Sequence, residues 1–166
     1  MAAPVRRVKP GAGIAVDVGD RQRVLRVSTA RLEGLVRRAL ACVGVERAEI
    51  GILLVDDRRM AALHERWLGI PGPTDVITFD MSPAAVGPGR RPLVGDIAAS
   101  TETARRVAGE VGWTPRQELA YYLIHGLLHL TGYDDRAAAD RRAMRARERA
   151  VLRACGLPAP PRKQRR

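Results

Sequence analysis

Apolar residues between Thr29 and Val43 recur at helical spacing, at Leu32, Leu35, Val36, Ala39, Leu40 and Val43, so the segment predicts a helix with one buried face. Ser28 is placed to cap its start and Gly44 to end it. A short apolar run at Ile14–Val18 precedes it as a strand, and Glu49–Val55 reads as a second strand buried on at least one side. Asp56 caps a helix running to about Trp67, which the breaker run Gly69-Ile70-Pro71-Gly72-Pro73 ends. Asp75 to Asp80 is β-rich, Ser82 to Pro92 is a loop, and Leu93–Ala99 returns as a strand. A helix from Ser100 ends near Gly112. The next has the clearest start: Thr114-Pro115-Arg116-Gln117 forms a capping box with proline at the first helical position, and the helix runs to Leu130 and stops at Gly132. An arginine-rich helix covers about Ala137–Ala154. No internal repeat is present. About four strands mixed with about five helices predict an α+β domain, a single mixed sheet with helices packed on it.

Length and composition fit this picture. The chain has 166 residues, 46% of them hydrophobic, enough for one core without disulfides. The expected organisation is a flexible basic N-terminus over 1–13, a single domain over 14–157 and a basic disordered tail over 158–166. No apolar run approaches the roughly 20 residues that cross a bilayer, and Met1–Gly13 lacks the apolar stretch of a secretory signal. Cys42 and Cys155 form no CxxC, so reduced thiols in the cytoplasm are expected.

The net charge is +11, from 29 basic and 18 acidic residues, which points to an anionic partner, nucleic acid first. Only Lys9 and Lys163 among the basic residues are lysine. GC-rich coding explains arginine over lysine but not the excess of positive sign. The segment Arg136–Arg166 holds ten of the arginines and Lys163 against only Asp140 and Glu148. It reads as an electrostatic arm for RNA or a ribosomal surface, the alternative being a solvated helix face.

The chemistry concentrates in His125-Gly126-Leu127-Leu128-His129-Leu130-Thr131-Gly132-Tyr133-Asp134-Asp135. Histidines four apart on a helix share a face one turn apart and can share an ion. Gly132 lets the backbone turn and bring Asp135 to the same ion. His-x3-His-x2-Gly-x2-ligand is the ligand spacing of the metzincin zinc enzymes, and two imidazoles with one carboxylate leave a position for water on zinc. Asp134 is the alternative third ligand, or orients one. Zinc proteases carry a glutamate base directly after the first histidine. Here Gly126 stands there, which disfavours a metalloprotease-like hydrolase. A purely structural metal is a further alternative.

This motif resembles the signature of the YbeY endoribonucleases, His-Gly-x-Leu-His-Leu-x-Gly-Tyr-Asp-His, and departs from it only at Asp135. Pro73-Thr74-Asp75-Val76-Ile77-Thr78-Phe79 looks like that family's Pro-Thr-Asp-Val-Leu-Ser-Phe, and Gly95-Asp96-Ile97 like its Gly-Asp-Ile strand. The three agree in order and spacing, and the resemblance covers about residues 14–155. It implies an α+β fold with the metal in a cleft, cleavage of single-stranded RNA, 16S rRNA 3′-end maturation and ribosome quality control, with small-subunit ribosomal proteins as partners. The family's usual third ligand is histidine. Asp135 in its place implies a more negative ligand set and a weaker Lewis acid, and widens tolerance from zinc to manganese or nickel. Many members carry an arginine where this chain has Leu68. A ribosome assembly factor that binds RNA without cutting is therefore the main competing reading.

The remaining candidates are ranked by chemistry. Arg66 is the candidate catalytic cation for developing phosphate charge, with Arg59 as a substitute and a solvated helix face as the plain alternative. Asp134 is the second candidate catalytic residue. His64 reads first as structural or surface. Asp75 either orients a ligand histidine or caps a loop. Tyr121 and Tyr122 read as core, and Trp67 and Tyr133 as packing residues before base-stacking ones.

Overall fold

A computed structural model describes residues 13–83 and 92–161. Nine elements follow in order: β1 (Ile14–Asp20), α1 (Thr29–Cys42), β2 (Ala48–Val55), α2 (Asp57–Leu68), β3 (Val76–Asp80), β4 (Leu93–Ser100), α3 (Thr101–Val111), α4 (Pro115–Leu130) and α5 (Ala138–Ala154). The expected α+β architecture with four strands and five helices is the one found. The flexible N-terminus, the end of the basic tail and most of the Ser82–Pro92 loop concern residues 1–12, 162–166 and 84–91, which lie outside the described residues.

The sheet order is β1-β2-β4-β3. β1, β2 and β4 are parallel, so the chain must cross over between them, and α1 makes the first crossover. β3 is an antiparallel edge strand on β4. β1 runs two residues past the expected Val18, because pairing with β2 continues to Asp20 opposite Leu54.

Alternation along the strands divides the core. Ile50, Ile52, Leu54, Ile97 and Ala99 face α1 and α4, with α5 laid across those two helices as an outer layer. Val55, Ile77 and Ala98 face the other way and pack with Met60 of α2. α4 is the central helix. It is buried along Leu119–Ile124 and again at Leu127, Leu128 and Leu130, and it is apolar nearly all round, as a helix enclosed by others must be. Its capping box is present, with Gln117 N donating to Thr114 Oγ1 (3.3 Å) and Thr114 N to Gln117 Oε1 (2.9 Å).

Two glycines set how closely α4 lies on the sheet. A Cβ at Gly126 would meet Thr78 Cγ2 at 3.0 Å and Ile97 Cγ2 at 3.1 Å. A Cβ at Gly95 would meet the Leu130 methyls at 2.8 and 2.9 Å and the Phe79 carbonyl at 2.9 Å. The position after the first histidine therefore faces the sheet. A side chain there would have to displace the Thr78 and Ile97 methyls.

Candidate metal centre

α4 ends in a Schellman motif. Gly132, at φ +101°, donates its N–H to His129 O (3.0 Å), and Tyr133 donates to Leu128 O (3.0 Å). Tyr133 packs against the main core, which completes the motif with its usual apolar contact. The chain thus reverses directly after the second histidine, and Asp134 fixes the next two residues. Its Oδ1 accepts from the N–H of Asp135 (2.7 Å) and of Arg136 (3.3 Å). From the far side, Arg141 of α5 donates to Asp135 O (3.2 Å) and Arg136 O (2.5 Å).

This loop brings Asp135 to the two histidines. His125 Nε2 and His129 Nε2 are 3.0 Å apart, and Asp135 Oδ2 lies 3.8 Å from the first and 3.9 Å from the second. A point equidistant from the corners of that triangle lies about 2.1 Å from each, the length of a zinc–nitrogen or zinc–oxygen bond. Within the described residues these three are the one group of histidine, cysteine or acidic side chains spaced to hold an ion. The donor set fits a divalent metal. Asp134 acts on the backbone of the loop that carries Asp135, a positioning role.

The protonation pattern suits metal binding. His125 Nδ1 lies 2.6 Å from Glu148 Oε1, and the same oxygen accepts the Tyr121 hydroxyl at 2.8 Å. A carboxylate at that distance favours the His125 proton on Nδ1, which leaves the Nε2 lone pair for an ion. Tyr121 also stacks on the His125 ring, centroids 5.9 Å apart. Burial, with a further push from His125, holds the His129 pKa below its ordinary 6.5, while the Asp135 charge and a hydrogen bond to the Tyr133 backbone oppose the shift. A lowered value keeps the ring neutral at neutral pH, the form that binds metal.

Glu148 is not among the site residues expected from the sequence, where it stands only as one of two acids in a basic segment. The signal is its placement four residues after Met144 and three and four before Val151 and Leu152, on the apolar face of α5. A charge on a buried face must find a partner, and Glu148 is only 2% exposed. Glu148→Ala is expected to lower metal affinity about 10–100-fold, the usual effect of losing such a partner, as read by competition with a chromophoric chelator.

Tyr121 is a core residue, as expected, and also a contact of the site through Glu148. Tyr122 is core, 1% exposed, and also lines the cleft beside His125. Asp75 caps its own turn, accepting from Thr74 Oγ1 (3.1 Å) and Val76 N (2.8 Å). His64 Nδ1 ties to Gly72 O at 2.8 Å, a structural role. Trp67 packs edge-on against Phe79. Arg66 lies with its guanidinium 5.8 Å from the Trp67 ring, and Arg59 pairs with Asp56. Neither lines the cleft of about 720 Å3 beside His125 and Asp135; the arginines that do are Arg106, Arg141 and Arg145.

The family model described as Endoribonuclease YbeY matches residues 17–156. Endoribonuclease YbeY of Anaeromyxobacter sp. (strain Fw109-5) is 44% identical over 132 residues, covering 80% of this chain and 67% of that protein. Its counterpart in Moorella thermoacetica (strain ATCC 39073 / JCM 9320) is 41% identical over 133 residues, covering 76% and 85%. Among solved structures, the solution structure of TM1509 from Thermotoga maritima shares the fold, with TM-score 0.54 at 22% identity over 83% of this chain and 88% of that one.

Proposed function

The chain belongs to the YbeY endoribonuclease family, and from that membership we propose that it is a single-strand-specific, metal-dependent endoribonuclease acting in 16S rRNA 3′-end maturation and ribosome quality control. The observation that carries the reading is the His125, His129 and Asp135 triangle, whose dimensions suit one ion. Zinc is the proposed metal, since two neutral imidazoles and a carboxylate form a common catalytic set for it. The cytoplasm is the proposed location. Small-subunit ribosomal proteins are the proposed partners, consistent with an RNA substrate and a charge of +11. No helix among the described residues is long and apolar enough to cross a membrane.

Bound there, the metal supplies Lewis acidity toward a phosphoryl oxygen. The chain's own groups do the rest. Glu148 and Tyr121 hold the His125 ring in one orientation and one tautomer. The Schellman turn and Asp134 deliver Asp135. The cleft arginines offer planar forks to the phosphodiester charge.

The deciding experiment is RNA cleavage by purified protein, stripped with chelator and then reloaded. Cleavage of single-stranded RNA that disappears with the metal and returns with zinc is the expected result. A folded, metal-loaded protein that binds RNA but leaves it intact would favour the non-cleaving assembly factor. The feature behind that reading is Leu68, which stands 56% exposed at the end of α2 and offers no charge.

A further inference from the structure

The cleft beside the metal ligands has two walls that carry cations. Arg106 projects from α3, and Arg141 and Arg145 from the first turns of α5. Arg141 is committed to the carbonyls of the ligand loop. Arg106 meets Glu110 at 3.6 Å with both side chains largely exposed, a pair weak enough to yield to a phosphate. Glu118 and Glu148 are buried in the cleft floor, Asp75 is held in its own turn, and Asp135 faces the two histidines.

α5 carries further arginines that do not share this position. Arg142 and Arg149 lie about 100° and 80° around the helix from Arg141, whereas Arg145 lies about 40° from it, by helical spacing. The cleft is lined by Arg141, Met144, Arg145 and Glu148, one side of α5, and not by Arg142 or Arg149.

We propose that Arg106 and Arg145, on opposite walls of the cleft, are substrate-binding residues that contact phosphates of a single RNA strand threaded past the metal ligands, and that Arg142 and Arg149, outside the cleft, do not contact it. The inference rests on the RNA reading above. It replaces a diffuse basic arm with two named contacts. The two cations grip a flexible strand from either side, and charge-assisted contacts to backbone phosphates carry no base preference. The binding they supply is therefore tolerant of sequence.

The test is the salt dependence of binding to a short, fluorescein-labelled, 2′-O-methyl single-stranded oligonucleotide, with metal-loaded protein. Each phosphate contact on a single strand contributes about 0.7 to the slope of log K against log salt. The slope for R106A/R145A is expected to fall by about 1.4 relative to wild type, with affinity about tenfold or more lower at low salt. R142A/R149A removes the same charge from outside the cleft and is expected to keep the wild-type slope. R106K/R145K, which retains the charges, is expected to recover most of the binding and guards against a folding defect in the alanine variant. In cleavage assays KM rises in R106A/R145A while kcat changes little, the mark of lost uniform binding. Equal losses in the two alanine pairs, or an unchanged slope in R106A/R145A, would overturn the proposal while leaving the nuclease reading intact. Failure of the wild type to bind the oligonucleotide at all would overturn both.

Discussion

His129→Ala protein is expected to fold, to bind less than one equivalent of metal and to lose RNA cleavage by about 1,000-fold or more. The magnitude follows from the donor count. Loss of a group that only orients a ligand costs about 10–100-fold in affinity or activity, and removing one of three direct donors costs more. The folding half of the expectation is equally specific. The His129 side chain is 27% exposed at the edge of α4, and the main core is built from α1, α4, α5 and the sheet without it. The domain is thus expected to stay folded without an ion, in contrast to small zinc domains that unfold without theirs. Metal analysis, single-turnover cleavage and thermal unfolding on the same preparation check all three statements. Cleavage at the wild-type rate would remove His129 from the chemistry. Unfolding on metal loss would make the ion structural.

The largest expected effect on stability is at Gly95. An alanine Cβ there sits 2.8–2.9 Å from two methyls of Leu130 and from the Phe79 carbonyl. The carbonyl belongs to a paired strand and cannot swing aside, so either β3 or the end of α4 must move. Overpacking of this kind costs about 1–3 kcal/mol, with about 2–4 °C of melting temperature per kcal/mol for a domain of this size. Leu130 directly follows His129, so the strain also reaches the ligand turn, and metal affinity should fall with the melting temperature. Gly126→Ala is the informative contrast. Its Cβ meets only side-chain methyls at 3.0 and 3.1 Å, and an alanine within a helix regains about 1 kcal/mol over glycine. Its net cost should be the smaller of the two, as denaturant unfolding of both variants would show.

Much of the site is legible in the sequence because its geometry is local. His125 and His129 meet through helical periodicity, and Gly132 and Asp135 follow within one turn of chain, so spacing alone constrains them. Spacing favours Asp135 over Asp134 as the third donor but does not say what Asp134 does. That depends on which carboxylate accepts from the loop's own backbone, and the coordinates give that part to Asp134. Glu148 is hidden for the opposite reason: its partners lie 23 and 27 residues away on another helix, a separation no motif spans. Arg66 illustrates a third limit. Periodicity places it on α2, but where α2 sits on the sheet decides whether it reaches the cleft, and α2 packs on the face away from α4. The elements themselves can be read nearly to their ends, since caps and breakers mark them. The strand order cannot, because three parallel strands and one reversed edge depend on crossovers that hydrophobic alternation does not record.

The contact between His125 and Glu148 ties the last helix to the candidate metal site. A chain broken off after Arg141 would still carry His125, His129 and Asp135, and would still present the whole motif by which such a protein is recognised. It would lack Glu148, the partner of His125 and Tyr121, and one wall of the cleft. A growing polypeptide therefore carries all three candidate donors before it carries Glu148, the group that orients His125.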